Sequence, residues 1–234
     1  MLLLAIDTAT PFVSVALGDS GTVRCEIRLG TGRRHAEQLA PAIRYLCQEC
    51  GIELGQLAAI AVGIGPGLFT GLRVGVTTAK VMAQALRIPV VGIPSLDLVA
   101  WPLRSSRRMV AAVLDARRRE VFHARYRPVP GGLQRDGDYA VGPPADLVGE
   151  LEAAGEEVLL AGDGVTVYRE AFEGLERAEY AGPEFAAPSA AALVELATRR
   201  VELEEFEPPW ELAPMYLRAS DAEIDWERVR AGGA

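Results

Sequence analysis

The chain opens with apolar runs at residues 2–6 and 13–17, separated by Thr8-Ala9-Thr10-Pro11. Residues 23–29 follow the turn Asp19-Ser20-Gly21 and alternate apolar with charged side chains. Continuous runs predict buried strands and alternation predicts a half-buried one, so the opening reads as a three-strand meander. The period then changes. His35, Leu39, Ile43, Leu46 and Cys50 recur every three to four residues and stop at Gly51, which predicts an amphipathic helix with a glycine end signal. Pro41 lies early enough in it to be tolerated or to bend it. Residues 57–64 form another apolar strand, 70–86 a second helix and 90–93 a short strand bounded by Pro89 and Pro94. Strand, helix, strand in this rhythm requires parallel pairing with a crossover.

The order then begins again. Residues 109–115 form an apolar strand ending in aspartate, as residues 2–7 do, residues 121–127 alternate, and Gly131-Gly132 turns into a third strand. A helix over 144–154, an apolar strand over 158–161 closed by Gly162-Asp163-Gly164, and a helix over 189–201 capped by Ser189 complete the copy. Two copies of one element order predict an internal duplication. The boundary falls near residues 101–108, which gives lobes of about 1–103 and 104–200 and a C-terminal segment 201–234. After Leu217 the chain turns polar and ends in Gly232-Gly233-Ala234, so its last residues are expected to be mobile.

Composition narrows the function. Half of the 234 residues are apolar, enough for one large domain or two small lobes with real cores. The first residues lack a basic segment and meet Asp7 after a short apolar run, which fits neither a signal peptide nor a membrane span. A net charge of −8 repels a phosphate backbone, so any RNA role is expected to be indirect. The basic clusters Arg33-Arg34, Arg104 with Arg107-Arg108, and Arg117-Arg118-Arg119 read as solvated faces or loops. Cys25, Cys47 and Cys50 are odd in number, with one C-x-x-C inside a helical segment. They read as reduced structural thiols of a cytosolic protein rather than a zinc or redox site.

The segment Gly63-Ile64-Gly65-Pro66-Gly67-Leu68-Phe69-Thr70-Gly71-Leu72-Arg73-Val74-Gly75 carries the most information. Glycines around Pro66 let a strand end in a tight turn that presents amides at a helix N-terminus, with Thr70 as its cap. Such a loop can cradle an anion, or can be glycine-rich only to turn and pack closely. It is not a Walker loop, because no lysine and hydroxyl pair follows at the required spacing. Along the next helix Gly71, Gly75, Ala79 and Ala83 recur every four residues. That stripe is small enough for a helix from another chain to approach, or for the chain's own sheet to pack there.

This segment, followed by Ala79-Lys80 and Ile88-Pro89-Val90-Val91-Gly92, resembles the TsaB (YeaZ) family and its larger paralogue TsaD. The opening Ala5-Ile6-Asp7-Thr8-Ala9, the helix start His35-Ala36-Glu37-Gln38-Leu39 and the late Pro214-Met215-Tyr216-Leu217-Arg218 extend the resemblance over nearly the whole chain. It implies an α/β fold of duplicated lobes of the actin, Hsp70 and sugar-kinase (ASKHA, ribonuclease H-like) type, with residues 210–218 returning toward the first lobe. It also implies a non-catalytic subunit that works with a TsaD-like catalytic subunit, a TsaE-like ATPase and a separate synthase of threonylcarbamoyl adenylate. Together they modify the adenosine beside the anticodon of tRNA, which this chain meets only through the complex. Alone, the chain is expected to form a homodimer, with no membrane partner.

The interface implied by the resemblance pairs the first two helices with those of TsaD or of a second copy, and places His35, Leu39, Ile43, Gly71, Gly75 and Ala79 in the contact. A long charged residue at Gly75 is then expected to break association and spare the fold. Two histidines four apart hold a metal in TsaD. Here those positions are Ser95 and Val99, and neither His35, followed by Leu39, nor His123, between Val121 and Arg125, rebuilds the pair, so no metal is expected.

Nucleotide sites of the superfamily need an aspartate and open glycine turns in both lobes. Asp7-Thr8-Ala9-Thr10 keeps part of the first turn, Asp115-Ala116-Arg117-Arg118-Arg119 fills the second with arginines, and Gly162-Asp163-Gly164 resembles the adenosine-side turn. Asp7, Gly65, Gly67, Gly162 and Gly164 are therefore candidates for a vestigial nucleotide or anion loop. The chain has no expected cofactor of its own, with ATP bound at or near the complex interface. The alternatives are a stand-alone small-molecule kinase of the same superfamily and a peptidase, an old label of the relatives. Ser14, Ser95 and Ser189 lack the nucleophile-elbow context a peptidase would need.

Overall fold

The computed structural model describes residues 1–30, 32 and 34–218, and two five-stranded sheets of matching strand order organise them. In the first half β1 (Leu2–Asp7), β2 (Phe12–Asp19) and β3 (Thr22–Gly30) form the meander. Helix α1 (His35–Glu49), β4 (Ala59–Gly63), α2 (Phe69–Leu86), β5 (Val90–Ile93) and α3 (Ser95–Ala100) follow. The second half runs β6 (Met109–Arg117), β7 (Glu120–Val129), β8 (Gly132–Gly142), α4 (Pro144–Ala154) and β9 (Val158–Ala161). It continues through α5 (Asp163–Val167), α6 (Arg169–Phe172), β10 (Ala178–Tyr180) and α7 (Ala190–Glu202). The sheets read β3-β2-β1-β4-β5 and, in the same sense, β8-β7-β6-β9-β10. In each, the first strand is antiparallel to the second and parallel to the fourth.

Strand β1 is buried on both faces, which explains its unbroken apolar run. Leu4 and Ile6 point into a core with Leu39 and Ile43 of α1 and Val76 and Ala79 of α2. Leu3 and Ala5 point the other way, onto Leu193, Val194 and Ala197 of α7. Edge strand β3 alternates because one of its faces meets water.

Helix α7 therefore covers the first sheet although it follows the second in sequence, and the side chains Leu96, Val99 and Ala100 of α3 pack on Val110, Ala112 and Leu114 of β6. The lobe assignment of 104–200 is corrected accordingly: its last helix belongs to the first lobe, and α3 is exchanged the other way. Apolar periodicity says that a helix has a buried face, not which sheet lies under it.

Beyond α7 the chain runs back along α2. Glu207 bridges Val90, Leu212 enters the first core, and the Met215 amide donates to the Ile64 carbonyl at 2.7 Å. Leu217 and Arg218 then reach the second lobe, where Arg218 meets Glu120 and the Ala116 carbonyl. The C-terminal tail expected to be mobile, residues 219–234, lies outside the described residues, as does Arg33 of the first basic cluster.

Helix α7 is capped by Ser189, whose hydroxyl accepts from the Ala192 amide at 3.2 Å. Thr70 is not a cap. Helix α2 begins one residue earlier, its N-cap position is Leu68, and no side chain caps it. The Leu68 amide donates instead to the Ala9 carbonyl at 2.7 Å, so contact with the first turn sets where the helix starts.

Candidate functional site

Two places are able to carry function: the turns at the ends of β1 and β6, and the outer face of α1 and α2. At the first turn Asp7 is 1% exposed. Its carboxylate accepts from the Ala9 amide at 3.0 Å and the Ser95 hydroxyl at 2.8 Å. Burial pushes its pKa up to about 6 against the lowering effect of these bonds and of Arg28. The Ser95 side chain is thus spent on holding Asp7, and its hydroxyl also accepts from the Gly65 amide at 3.2 Å. A Cβ on Gly63 would lie 1.8 Å from Asp7 Oδ2, and one on Gly67 would lie 2.3 Å from the Ala9 carbonyl oxygen. The glycines of this loop exist for close approach of the chain to itself, at Gly65 with φ +101°. Of the two readings left open by the sequence, close packing is the one the geometry supports.

At the second turn Asp115 accepts from the Arg117 amide at 2.8 Å and from the Tyr168 hydroxyl at 3.0 Å. It also pairs with the Arg117 guanidinium at 2.9 Å. Asp163 accepts from the Asp115 amide at 3.0 Å, and burial, helped by the neighbouring Asp115 charge, pushes its pKa up to about 6. Gly162 has φ +109°, with its missing Cβ 2.0 Å from the Val113 carbonyl oxygen, and Gly164 packs on the Val113 side chain. The five candidate loop residues therefore form two clusters, Asp7 with Gly65 and Gly67 in one lobe and Gly162 with Gly164 in the other. Beside Gly162 a cavity of about 140 Å³ is lined by Val165, Thr166, Arg169 and Tyr180.

The six residues expected at a partner interface lie inside the chain, and this corrects the assignment. His35, Leu39 and Ile43 are 3%, 2% and 5% exposed, and Ala79 is fully buried. The His35 ring Nε2 lies 2.7 Å from the Thr10 carbonyl oxygen. A Cβ on Gly71 would meet the Thr8 carbonyl oxygen at 2.1 Å, and one on Gly75 would meet Thr8 Oγ1 at 2.2 Å. A repeat of four defines one face of a helix without giving its direction, and this face packs on the end of β1.

The opposite faces of α1 and α2 are open. Between them runs a groove of about 540 Å³ lined by Ala36, Ala40, Phe69, Arg73 and Thr77, and by Leu39, the one residue of the expected interface set that borders it. Tyr45 and Val81 stand 55% and 60% exposed on the same helices. The C-terminal strap borders it: Lys80 Nζ donates to the Leu212 carbonyl at 2.8 Å, and Arg73 Nε to the Tyr216 hydroxyl at 3.2 Å, with its guanidinium over the Phe69 ring. Trp210 on the strap is 76% exposed. Sequence reasoning missed this face, although its signal was present as the small and apolar residues Ala36, Ala40 and Val81 on the sides of the helices away from the core.

His123 is buried and its pKa is lowered by burial. Among the described residues no group of three or more His, Cys, Asp or Glu is placed to hold a metal ion, and no helix is long and apolar enough to cross a membrane.

Residues 30–226 match the family model described as TsaD, tRNA N6-adenosine threonylcarbamoyltransferase. The tRNA threonylcarbamoyladenosine biosynthesis protein TsaB of Bacillus subtilis is 31% identical over 97% of this chain and 98% of its own length. The structure of YeaZ from Pseudomonas aeruginosa superposes with a TM-score of 0.80 at 32% identity, over 92% of this chain and 99% of that one. More distantly, an activator of 2-hydroxyisocaproyl-CoA dehydratase from Clostridium difficile shares the two-lobed fold, with a TM-score of 0.52 at 9% identity over 92% of this chain and 100% of that one.

Proposed function

The chain belongs to the TsaB (YeaZ) family of tRNA threonylcarbamoyladenosine biosynthesis proteins, and on that premise we propose that it is a non-catalytic scaffold which docks a TsaD-like catalytic subunit. The observation that carries this reading is the outer face of α1 and α2. It holds an open groove continued along α2 by exposed Val81, and exposed Trp210 stands on the strap beside Lys80, a concentration of apolar surface that marks a protein contact. The turns where nucleotide chemistry would occur favour the same reading. Asp7 is sealed under Ser95, and Asp115 is engaged by Arg117 and Tyr168. A TsaE-like ATPase and ATP join at the assembled complex, tRNA is met there, and a second copy of the chain occupies the face when the catalytic subunit is absent. The site of action is the cytoplasm.

The test is to mix the chain with the TsaD-like subunit of its own organism and measure complex mass and threonylcarbamoylation of tRNA. Thr77→Arg and Val81→Glu place bulk and charge on the open face, and each is expected to weaken the complex at least tenfold while moving the melting temperature of the free chain by less than about 2 °C. Full tRNA modification without the chain, or complexes unaffected by both variants, would refute the scaffold reading. Turnover of ATP with a small hydroxylated substrate by the chain alone would instead establish the kinase alternative.

A further inference from the structure

The outer row of α2 runs Phe69, Arg73, Thr77 and Val81, four residues apart and so on one face of the helix. With Ala36 and Ala40 of α1 this row frames the groove, and Arg73 is the single charged side chain among those that line it. Its guanidinium is fixed from two sides. The Cζ atom lies 3.8 Å from the centroid of the Phe69 ring, and Nε donates to the Tyr216 hydroxyl at 3.2 Å. Tyr216 is held in turn, with its ring centroid 5.2 Å from that of Phe69 and the neighbouring Met215 amide on the Ile64 carbonyl. Arg73 is exposed, and its two terminal nitrogens take no partner among the described residues.

We propose that Arg73 is the recognition residue of the docking face, and that the groove takes a partner helix with small or apolar residues toward its floor and one aspartate or glutamate opposite Arg73. This rests on the docking reading and adds the chemistry of what docks. A guanidinium stacked on a ring, with Nε already used, offers its remaining N–H groups as a fork that matches a carboxylate. Because Phe69 and Tyr216 hold it in place beforehand, little side-chain freedom is lost when the pair forms. A helix seated in the groove removes Arg73 from water, so a segment without a counter-charge leaves a buried unpaired cation and is rejected. The small side chains Ala36, Ala40 and Thr77 let a helix backbone come close enough for a short acidic side chain to reach.

A second copy of the chain is the poorer occupant. Its α2 has no acidic residue and its α1 has only Glu37 and Glu49, one near each end, while its own Arg73 adds a like charge.

Binding of the full chain to the TsaD-like subunit of its own organism is measured by calorimetry at low and high salt. Arg73→Ala is expected to weaken the complex about tenfold or more and to remove most of its salt dependence, with the melting temperature of the free chain moved by less than about 2 °C. Arg73→Lys, which keeps the charge without the fork, should fall between, and Tyr216→Phe, which frees Nε but keeps the ring, should weaken binding a few-fold. Arg73→Glu should abolish the complex, and reversing one acidic residue of the partner to arginine should restore it. If Arg73→Ala binds like the wild type while Thr77→Arg and Val81→Glu do not bind, the docking face stands and the carboxylate partner is overturned. Normal binding by all three overturns the docking reading itself. The proposal also fails if no reversal in the partner rescues Arg73→Glu, or if Arg73→Ala weakens self-association as much as the mixed complex, which would make a second copy the occupant. The salt dependence of the wild-type complex is read without any substitution, so its absence overturns the proposal even if a variant misfolds.

Discussion

The two lobes end equivalent strands, β1 and β6, in an aspartate and then diverge. After Asp7 the chain is sealed: Gly63, Gly67, Gly71 and Gly75 bring strand β4 and helix α2 so close to residues 7–9 that no side chain fits between them. After Asp115 the chain stays open, and Arg117, Arg118 and Arg119 are exposed with φ of +62°, +55° and +63°. One topology thus supports two uses of the same turn. Where glycines allow the backbone to close up, the turn becomes the anchor of α2 and presents that helix's far side to solvent. Where arginines occupy it, the aspartate is held by Asp163 and Tyr168 at the two ends of α5, and the hairpin bears the strain of three left-handed residues.

The sharpest way to break this comparison is at Gly75. Gly75→Glu forces a Cβ to 2.2 Å from Thr8 Oγ1 and buries a carboxylate among apolar side chains, so it is expected to cost about 4 kcal/mol or more and to unfold the isolated chain in thermal melting. In the second lobe, by contrast, Gly149→Ala on the exposed face of α4 meets no neighbouring atom and should stabilise by about 0.5–1 kcal/mol. A folded Gly75→Glu chain would return the small-residue stripe to the surface.

A second test uses pH. The folded pKa of Asp7, about 6, lies above its ordinary 3.8, so between these values the native state binds more protons than the unfolded one. Stability therefore falls as pH rises from about 4 to about 6, and the cost is complete above that. Asp163 adds a parallel effect from the second lobe. Asp7→Asn removes the charge while keeping an acceptor for the Ala9 amide, and should raise stability at pH 7 by about 1–3 kcal/mol, a gain that disappears near pH 4. Denaturant melts of both proteins across pH 4–8 would check this, and parallel curves would show that Asp7 is not the group responsible.

The smallest effect is expected at the arginine hairpin. Arg118 and Arg119 are the two residues between paired Arg117 and Glu120, both in the left-handed region, where Asn-Gly is favoured. Replacing them together by Asn-Gly should stabilise by about 1 kcal/mol, read as a rise of about 3 °C in melting temperature. A loss of stability instead would mean that arginine side-chain contacts outweigh the backbone strain.

Much of the fold was legible. Strands β1, β2 and β9, helices α1 and α4, and the Ser189 cap follow from apolar runs, 3.6-residue periodicity and cap chemistry, all of which are local. The repeat of element order foretold the matching sheets, because pairing rules act on neighbours in sequence. The candidate site was less legible. The stripe Gly71, Gly75, Ala79 was visible, but its direction was not, since a helix has no outside until its sheet is placed. Ser95 gave no sign that it would bond Asp7, which lies 88 positions away in the chain.

The sequence by itself determined the longer strands and helices, their duplication and the family, since these rest on residue order and composition, whereas α3, α5, α6 and β10 are too short to show a period. Only the tertiary structure decided that α3 and α7 exchange lobes and that the small residues of α2 face inward and the groove outward. Each of these depends on which surfaces pack together, and packing is set by the shape complementarity of segments far apart in the chain, which no local period encodes.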